Sequence, residues 1–85
     1  MTIAELMRLL DDDRELVDQL VEAGILSRGD ECSDEMVEHA FVARTLVREL
    51  EVNWPGVEII LRMRRELIQT HRQVAELLRL LHNPR

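Results

Sequence analysis

The chain has 85 residues and a formal net charge of −6, with no Tyr, one Phe, one Trp and three Gly, a composition that favours helix over sheet. This length gives one small domain burying about 60% of its unfolded surface, so its stability margin is thin and a partner or second copy would add to it. No apolar run approaches the ~20 residues of a membrane span, the N-terminus lacks a signal-peptide pattern, and the single Cys32 excludes an internal disulfide, so a cytoplasmic protein without a membrane segment is expected.

Thr2-Ile3-Ala4-Glu5 has the form of a capping box, and Ile3, Leu6, Met7 and Leu10 follow at helical spacing. Asp11-Asp12-Asp13 should stop this helix and cap the next one, in which Leu16, Val17, Leu20 and Val21 point inward. Glu15, Asp18, Gln19 and Glu22 then point outward, and Gly24 suits the left-handed residue that ends a helix. Two short helices joined by a tight polar turn outline a helix-turn-helix. The stretch from Ile25 to Cys32 is compatible with a minimal β-hairpin or an extended loop.

Ser33 is a suitable cap for a third helix, with Asp34 and Glu35 at its positive end. Met36, Ala40, Ala43, Val47 and Leu50 repeat along it, and Val37, Phe41, Val42 and Leu46 widen the stripe. So broad a face predicts a helix touched on more than one side, running to about Leu50.

Asn53-Trp54-Pro55-Gly56 reads as the launch of a new helix. Asn53 caps it, Pro55 is tolerated in a first turn whose N–H groups lack partners, and Trp54 is placed to wedge against a neighbour. Nothing between Val57 and Leu81 breaks a helix, which predicts one helix of about 40 Å at 1.5 Å per residue. Two apolar frames run along it. One uses Val57, Ile60, Leu67, Val74, Leu78 and Leu81 with Arg64 and His71 in the seam, and the other uses Ile60, Met63, Leu67, Thr70, Val74, Leu77 and Leu81. Three short helices cannot cover that length, so its far half is expected to form a homodimeric coiled coil, with Ile60, Leu67, Val74, Leu77, Leu78 and Leu81 as dimerisation residues.

The charge divides at the same turn. Residues 1–53 carry five Arg and fourteen Asp or Glu, a balance of −9, whereas residues 54–85 carry six Arg and three Glu, a balance of +3. Two regions result: an acidic helix-turn-helix region with a third helix over 1–53, and a long dimerisation helix over 54–85. No catalytic constellation is legible. Thr2, Ser27, Ser33, Thr45 and Thr70 sit in no nucleophile pattern, no Gly-rich loop cradles a phosphate, and Cys32, His39, His71 and His82 lack zinc spacing. A non-enzyme without cofactor or metal is expected, with His39 and His71 as ordinary helix-surface or seam residues. DNA binding is disfavoured, because the exposed positions from Arg14 to Glu22 are mainly acidic and oppose phosphates.

The two-helix start, Glu22-Ala23-Gly24-Ile25-Leu26, a third helix and a turn into a final helix resemble the MerR-type architecture. More closely, Leu46-Val47-Arg48-Glu49-Leu50-Glu51-Val52-Asn53-Trp54-Pro55-Gly56-Val57 resembles the bacterial chaperone-modulator family, CbpM. The resemblance spans nearly the whole chain, and its specific part is the Trp-Pro-Gly turn. It implies an all-α, MerR-like fold with a long C-terminal coiled-coil helix. The wing before the third helix should be truncated, since Asp30 to Glu35 is short, polar and free of aromatics. It further implies a modulator that binds the J-domain of a CbpA/DnaJ-like co-chaperone and inhibits its action with DnaK. J-domains present a basic helical face, and the acidic front complements it. The expected partner-binding residues are Asp11, Asp12, Asp13, Glu15, Asp18 and Glu22, with Glu31, Asp34, Glu35 and Glu38 as a second cluster; Asn53, Trp54, Pro55 and Gly56 form a structural turn. The alternatives are a MerR-type DNA-binding transcriptional regulator and a dimeric anti-activator of another regulator.

Overall fold

The computed structural model describes residues 1–27, 29 and 31–82. Among these the architecture is all-helical: α1 (Ile3–Leu9), α2 (Arg14–Glu22), α3 (Asp34–Arg44) running into a π-helical turn (Thr45–Glu49), and α4 (Trp54–His82). The capping residues read from the sequence occupy those positions. Thr2 Oγ1 accepts from the Glu5 N–H at 3.2 Å and Ser33 Oγ from the Met36 N–H at 3.2 Å. Asp13 Oδ1 accepts from the Leu16 N–H at 3.1 Å and Asn53 Oδ1 from the Gly56 N–H at 2.8 Å. Each bond satisfies a first-turn donor that the helix leaves without a partner.

Both short N-terminal helices close by the same device. After α1 the Asp11 N–H donates to Arg8 O and the Asp12 N–H to Met7 O; after α2 the Gly24 N–H donates to Val21 O and the Ile25 N–H to Leu20 O. These paired bonds satisfy the last carbonyls and require a left-handed residue beyond the helix. Gly24 supplies it at φ 78°, while Asp11 at 59° and Asp12 at 53° do so with side chains that tolerate this region. The turn into α4 repeats the theme through Glu51 at φ 55°, a residue with no such tolerance.

The third helix departs from the expected form. Its α-helical part stops at Arg44, and five residues of wider turn carry it to Leu50, whose N–H donates to Thr45 O. Thr45 Oγ1 bonds back to Phe41 O at 3.3 Å, a competing bond of the kind that distorts helices. Leu50, expected on the inward stripe, is 63% exposed because the widened turn rotates it outward.

Leu6, Leu10, Leu16, Leu20 and Val57 are the largest fully buried side chains, joined by Val17, Leu26, Cys32, Ala40, Ala43 and Leu61. Ala40 and Ala43 lie on the buried side of α3, where small side chains let neighbouring helices approach. Around them Met36, Val37, Phe41, Val42, Leu46 and Val47 are half-buried and packed on the core. That arrangement fits the broad stripe: α3 touches both α2 and α4. It also corrects the reading of His39 as a surface residue. Flanked on two sides, His39 is only 7% exposed.

Between α2 and α3 the hairpin reading falls partly on Arg28 and Asp30, outside the described residues. Among those described there is one isolated antiparallel bridge, Thr2 to Glu31, and the Cys32 N–H donates to Met1 O at 2.7 Å. The link joins the stretch before α3 to the start of α1.

Trp54 is half-buried against the core at the first residue of α4. Gly56 is fixed by space. A Cβ there would come within 2.8 Å of Val52 Cγ1 and 3.1 Å of Asn53 Oδ1, too close for either to stay in place. The Asn-Trp-Pro-Gly turn is therefore a packing requirement. From it α4 extends 29 residues and sets the 52 Å length of the molecule.

Candidate protein interaction site

The ten acidic residues expected to bind a partner separate into two groups. Five are engaged inside the chain. Asp11 pairs with Arg44, and Asp13 takes two bonds from Arg48, at 2.9 Å from Nε and 3.2 Å from Nη2. Glu31 meets the Met1 amino group at 3.2 Å. Glu35 accepts from Arg65 Nε at 3.0 Å, and Glu38 pairs with Arg64. Two pairs tie the triple-aspartate turn to the end of the third helix, and two tie α3 to α4. The Arg48 hydrogen bond, then the bond from the Leu16 N–H, holds the Asp13 carboxyl below the usual carboxylate range.

Asp12, Glu15, Asp18, Glu22 and Asp34 make no ion pair among the described residues, and all five are exposed. Glu15, Asp18 and Glu22 share the face of α2 opposite Leu16, Val17 and Leu20, with Asp12 in the turn just before. They form a continuous negative strip on the second helix. Asp34 stands apart, at the start of α3.

Where the strip ends, Gln19, Glu22, Ala23, Trp54 and Glu58 line a cleft of about 320 Å³ between α2 and the first turns of α4. Gln19 and Glu58 did not stand out in the sequence. The helical pattern points Gln19 outward, but its Oε1 is buried without a hydrogen-bond partner. Its alternation with Glu15, Asp18 and Glu22 carried no signal that α4 would pass beside it.

A second cleft, of about 600 Å³, lies between α3 and α4 and holds Glu35, Glu38, His39, Arg64, Arg65 and Arg72. His39 Nε2 stands 3.8 Å from Glu35 Oε1. No Ser, Thr or Cys lines this cleft, so the imidazole has no nucleophile to activate. The carboxylates and guanidiniums there neutralise one another across the helix pair. Among the described residues no group of three or more His, Cys, Asp or Glu could hold a metal ion.

The proposed dimerisation residues lie on α4, where the two apolar frames share Ile60, Leu67, Val74 and Leu81. Val57 is fully buried, Leu61 is buried, and Arg64 is half-buried on Glu38, so this side of the helix faces α3. Another side of the helix remains bare, with residues of both frames on it. Met63, Leu67, Val74, Leu77 and Leu81 are all exposed, with Ile59, Leu78 and Leu80 beside them and Ile60 half-buried at the edge. A contiguous apolar strip of this size on a folded chain marks an interaction surface. No described helix is long and apolar enough to cross a membrane. No protein-family model, curated protein or solved structure matches the chain.

Proposed function

We propose that the chain is a non-enzymatic, dimeric adaptor of the cytoplasm that binds the J-domain of a CbpA/DnaJ-like co-chaperone and inhibits its action with DnaK. The observation that carries this reading is the strip Asp12, Glu15, Asp18 and Glu22: charges left unpaired on one exposed face, in a chain that holds Asp11, Asp13, Glu31, Glu35 and Glu38 in internal ion pairs. A basic helical surface complements it, with the half-buried Trp54 and the adjoining cleft offering apolar contact at one end. The resemblance of the Trp-Pro-Gly turn supports a co-chaperone partner, and the unpaired acidic strip supports a basic one. As a DNA reader the same helix would bring carboxylates to the phosphates, against the counterion-release term that drives such binding.

Titration with the isolated J-domain of a CbpA-like co-chaperone tests this. Micromolar or tighter binding is expected, weakened by added salt and by Asp18→Lys with Glu22→Lys. Asp11→Lys is a poorer probe, since Asp11 is held by Arg44. Absence of binding overturns the modulator reading, and steeply salt-dependent affinity for random-sequence DNA would instead favour the transcriptional-regulator alternative.

A further inference from the structure

We propose that the cleft at the end of the acidic strip takes the side chain of an arginine, presented by the basic partner that the strip attracts. The inference rests on that partner reading and adds the residue type and the place where it docks. Gln19, Ala23 and Trp54 line the cleft together with the carboxylates of Glu22 and Glu58, around a space of about 320 Å³.

Its walls call for positive charge from outside the chain. Glu22 and Glu58 are exposed and make no ion pair among the described residues. Arg62 lies one turn beyond Glu58 and shares the next cleft with it, yet is not paired to it. Glu22 is the last residue of α2, whose final turn has no basic residue. The helix dipole is negative at that end, so a carboxylate there is unfavourable and a cation is welcome. Gln19 Oε1 is buried without a hydrogen-bond partner, and its amide gains by turning toward an incoming donor. Trp54, half-buried, brings an indole to the same cleft, and indole is the best of the aromatic rings for holding a cation.

The same walls select among cations. A metal ion is poorly served, because among the described residues no group of three or more His, Cys, Asp or Glu could hold one. Indole and alanine side chains add no ligand. An ammonium is a compact, strongly hydrated point charge. A guanidinium is flat, more weakly hydrated and carries five N–H donors in a fixed fork. Stacked on the indole, it can serve the carboxylates of α2 and α4 with its two edges. The position suits the approach as well. Asp12, Glu15 and Asp18 steer a basic surface along α2, and the cleft lies where that strip ends. Tryptophan and arginine are also the residues that most often anchor an interface.

Trp54 is the only tryptophan and the chain has no tyrosine, so the intrinsic fluorescence of the full chain reads this cleft directly. The probe is N-acetyl-arginine amide, with the lysine amide as control for the fork and the citrulline amide for the charge. A saturable change in emission is expected with arginine, with affinity about threefold or more weaker for lysine and no saturation with citrulline. Glu58→Gln should weaken arginine binding by about three- to tenfold. Asp12→Asn removes the same charge outside the cleft and should change it by less than about twofold. A response linear in arginine, or equal for citrulline, overturns the site, and an equal affinity for lysine overturns the arginine assignment. The J-domain titration separates this inference from the reading it rests on. A larger loss of J-domain affinity with Glu58→Gln than with Asp12→Asn supports arginine docking. J-domain binding that ignores Glu58→Gln overturns the docking and leaves the modulator reading standing. Arginine-amide binding without J-domain binding supports the cleft and overturns the modulator reading.

Discussion

The two halves of α4 use the same residue types for opposite ends. In the near half, Val57 and Leu61 are buried where the helix packs on α3 and its π-helical end, and ion pairs from Arg64 and Arg65 fasten the helix to α3. In the far half every described residue from 69 onward is exposed, although Val74, Leu77, Leu78, Leu80 and Leu81 make it the more leucine-rich of the two. Hydrophobic spacing thus states that a helix face will be covered and leaves open by what. Isolated helices of this length are marginal in water, so the far half depends on a cover the single chain does not supply.

The sharpest way to break this contrast is to truncate one leucine in each half. Leu61→Ala removes a buried side chain and is expected to cost about 2–5 kcal/mol in urea unfolding. Leu78→Ala, measured on dilute protein, should stay within about 0.5 kcal/mol of the parent, as for a surface change, and its cost should grow with protein concentration. Equal costs at high dilution would mean the far half packs on its own chain. Next in size is Gly56→Ala. Alanine is the better helix former, but its Cβ would press on Val52 and Asn53, so a loss of about 1–3 kcal/mol is expected from overpacking. A gain in thermal midpoint would show that the launch of the near half has slack.

Asp13 sharpens the comparison from the head side, since it caps α2 and clasps Arg48. Asp13→Ala should cost about 1 kcal/mol through the lost cap, with little added from so exposed an ion pair. Its folded pKa lies below the usual carboxylate value. The stabilisation is therefore complete above the unfolded value of about 3.9 and is lost as pH falls through the folded pKa. The gap between parent and Asp13→Ala should hold at neutral pH and narrow below about pH 4 in acid unfolding. The smallest effect is a gain. Glu51 sits at φ 55° without the side chain that tolerates it, and Glu51→Gly should raise stability by about 0.5–1 kcal/mol, read as an upward shift in Tm.

Much of the local structure was legible. Thr2, the aspartate turn, Ser33 and Asn53 announce helix starts because a cap needs only a short polar side chain beside a helical run, and Gly24 announces a stop. The π-helical turn was not legible, since Thr45 bonding back to Phe41 is one of several options open to a threonine in a helix. The candidate site was legible in sign and only half legible in membership. Asp11, Asp13, Glu35 and Glu38 looked as available as Asp12, Glu15, Asp18 and Glu22, because their arginine partners lie 26 to 35 positions away.

The sequence by itself determined where the helices begin, where the first two end, the apolar stripe of each, and where the charge changes sign. These depend on backbone groups and side chains within a turn or two of one another. Only the tertiary structure decided that His39 is buried, that five of the ten candidate carboxylates are already paired, that Gln19 hides an unpartnered oxygen, and that Val57 and Leu61 face the head while Met63 and Leu67 stay bare. Each of those depends on which elements meet in space. A helix carries its own periodicity but no record of the neighbour that will cover it.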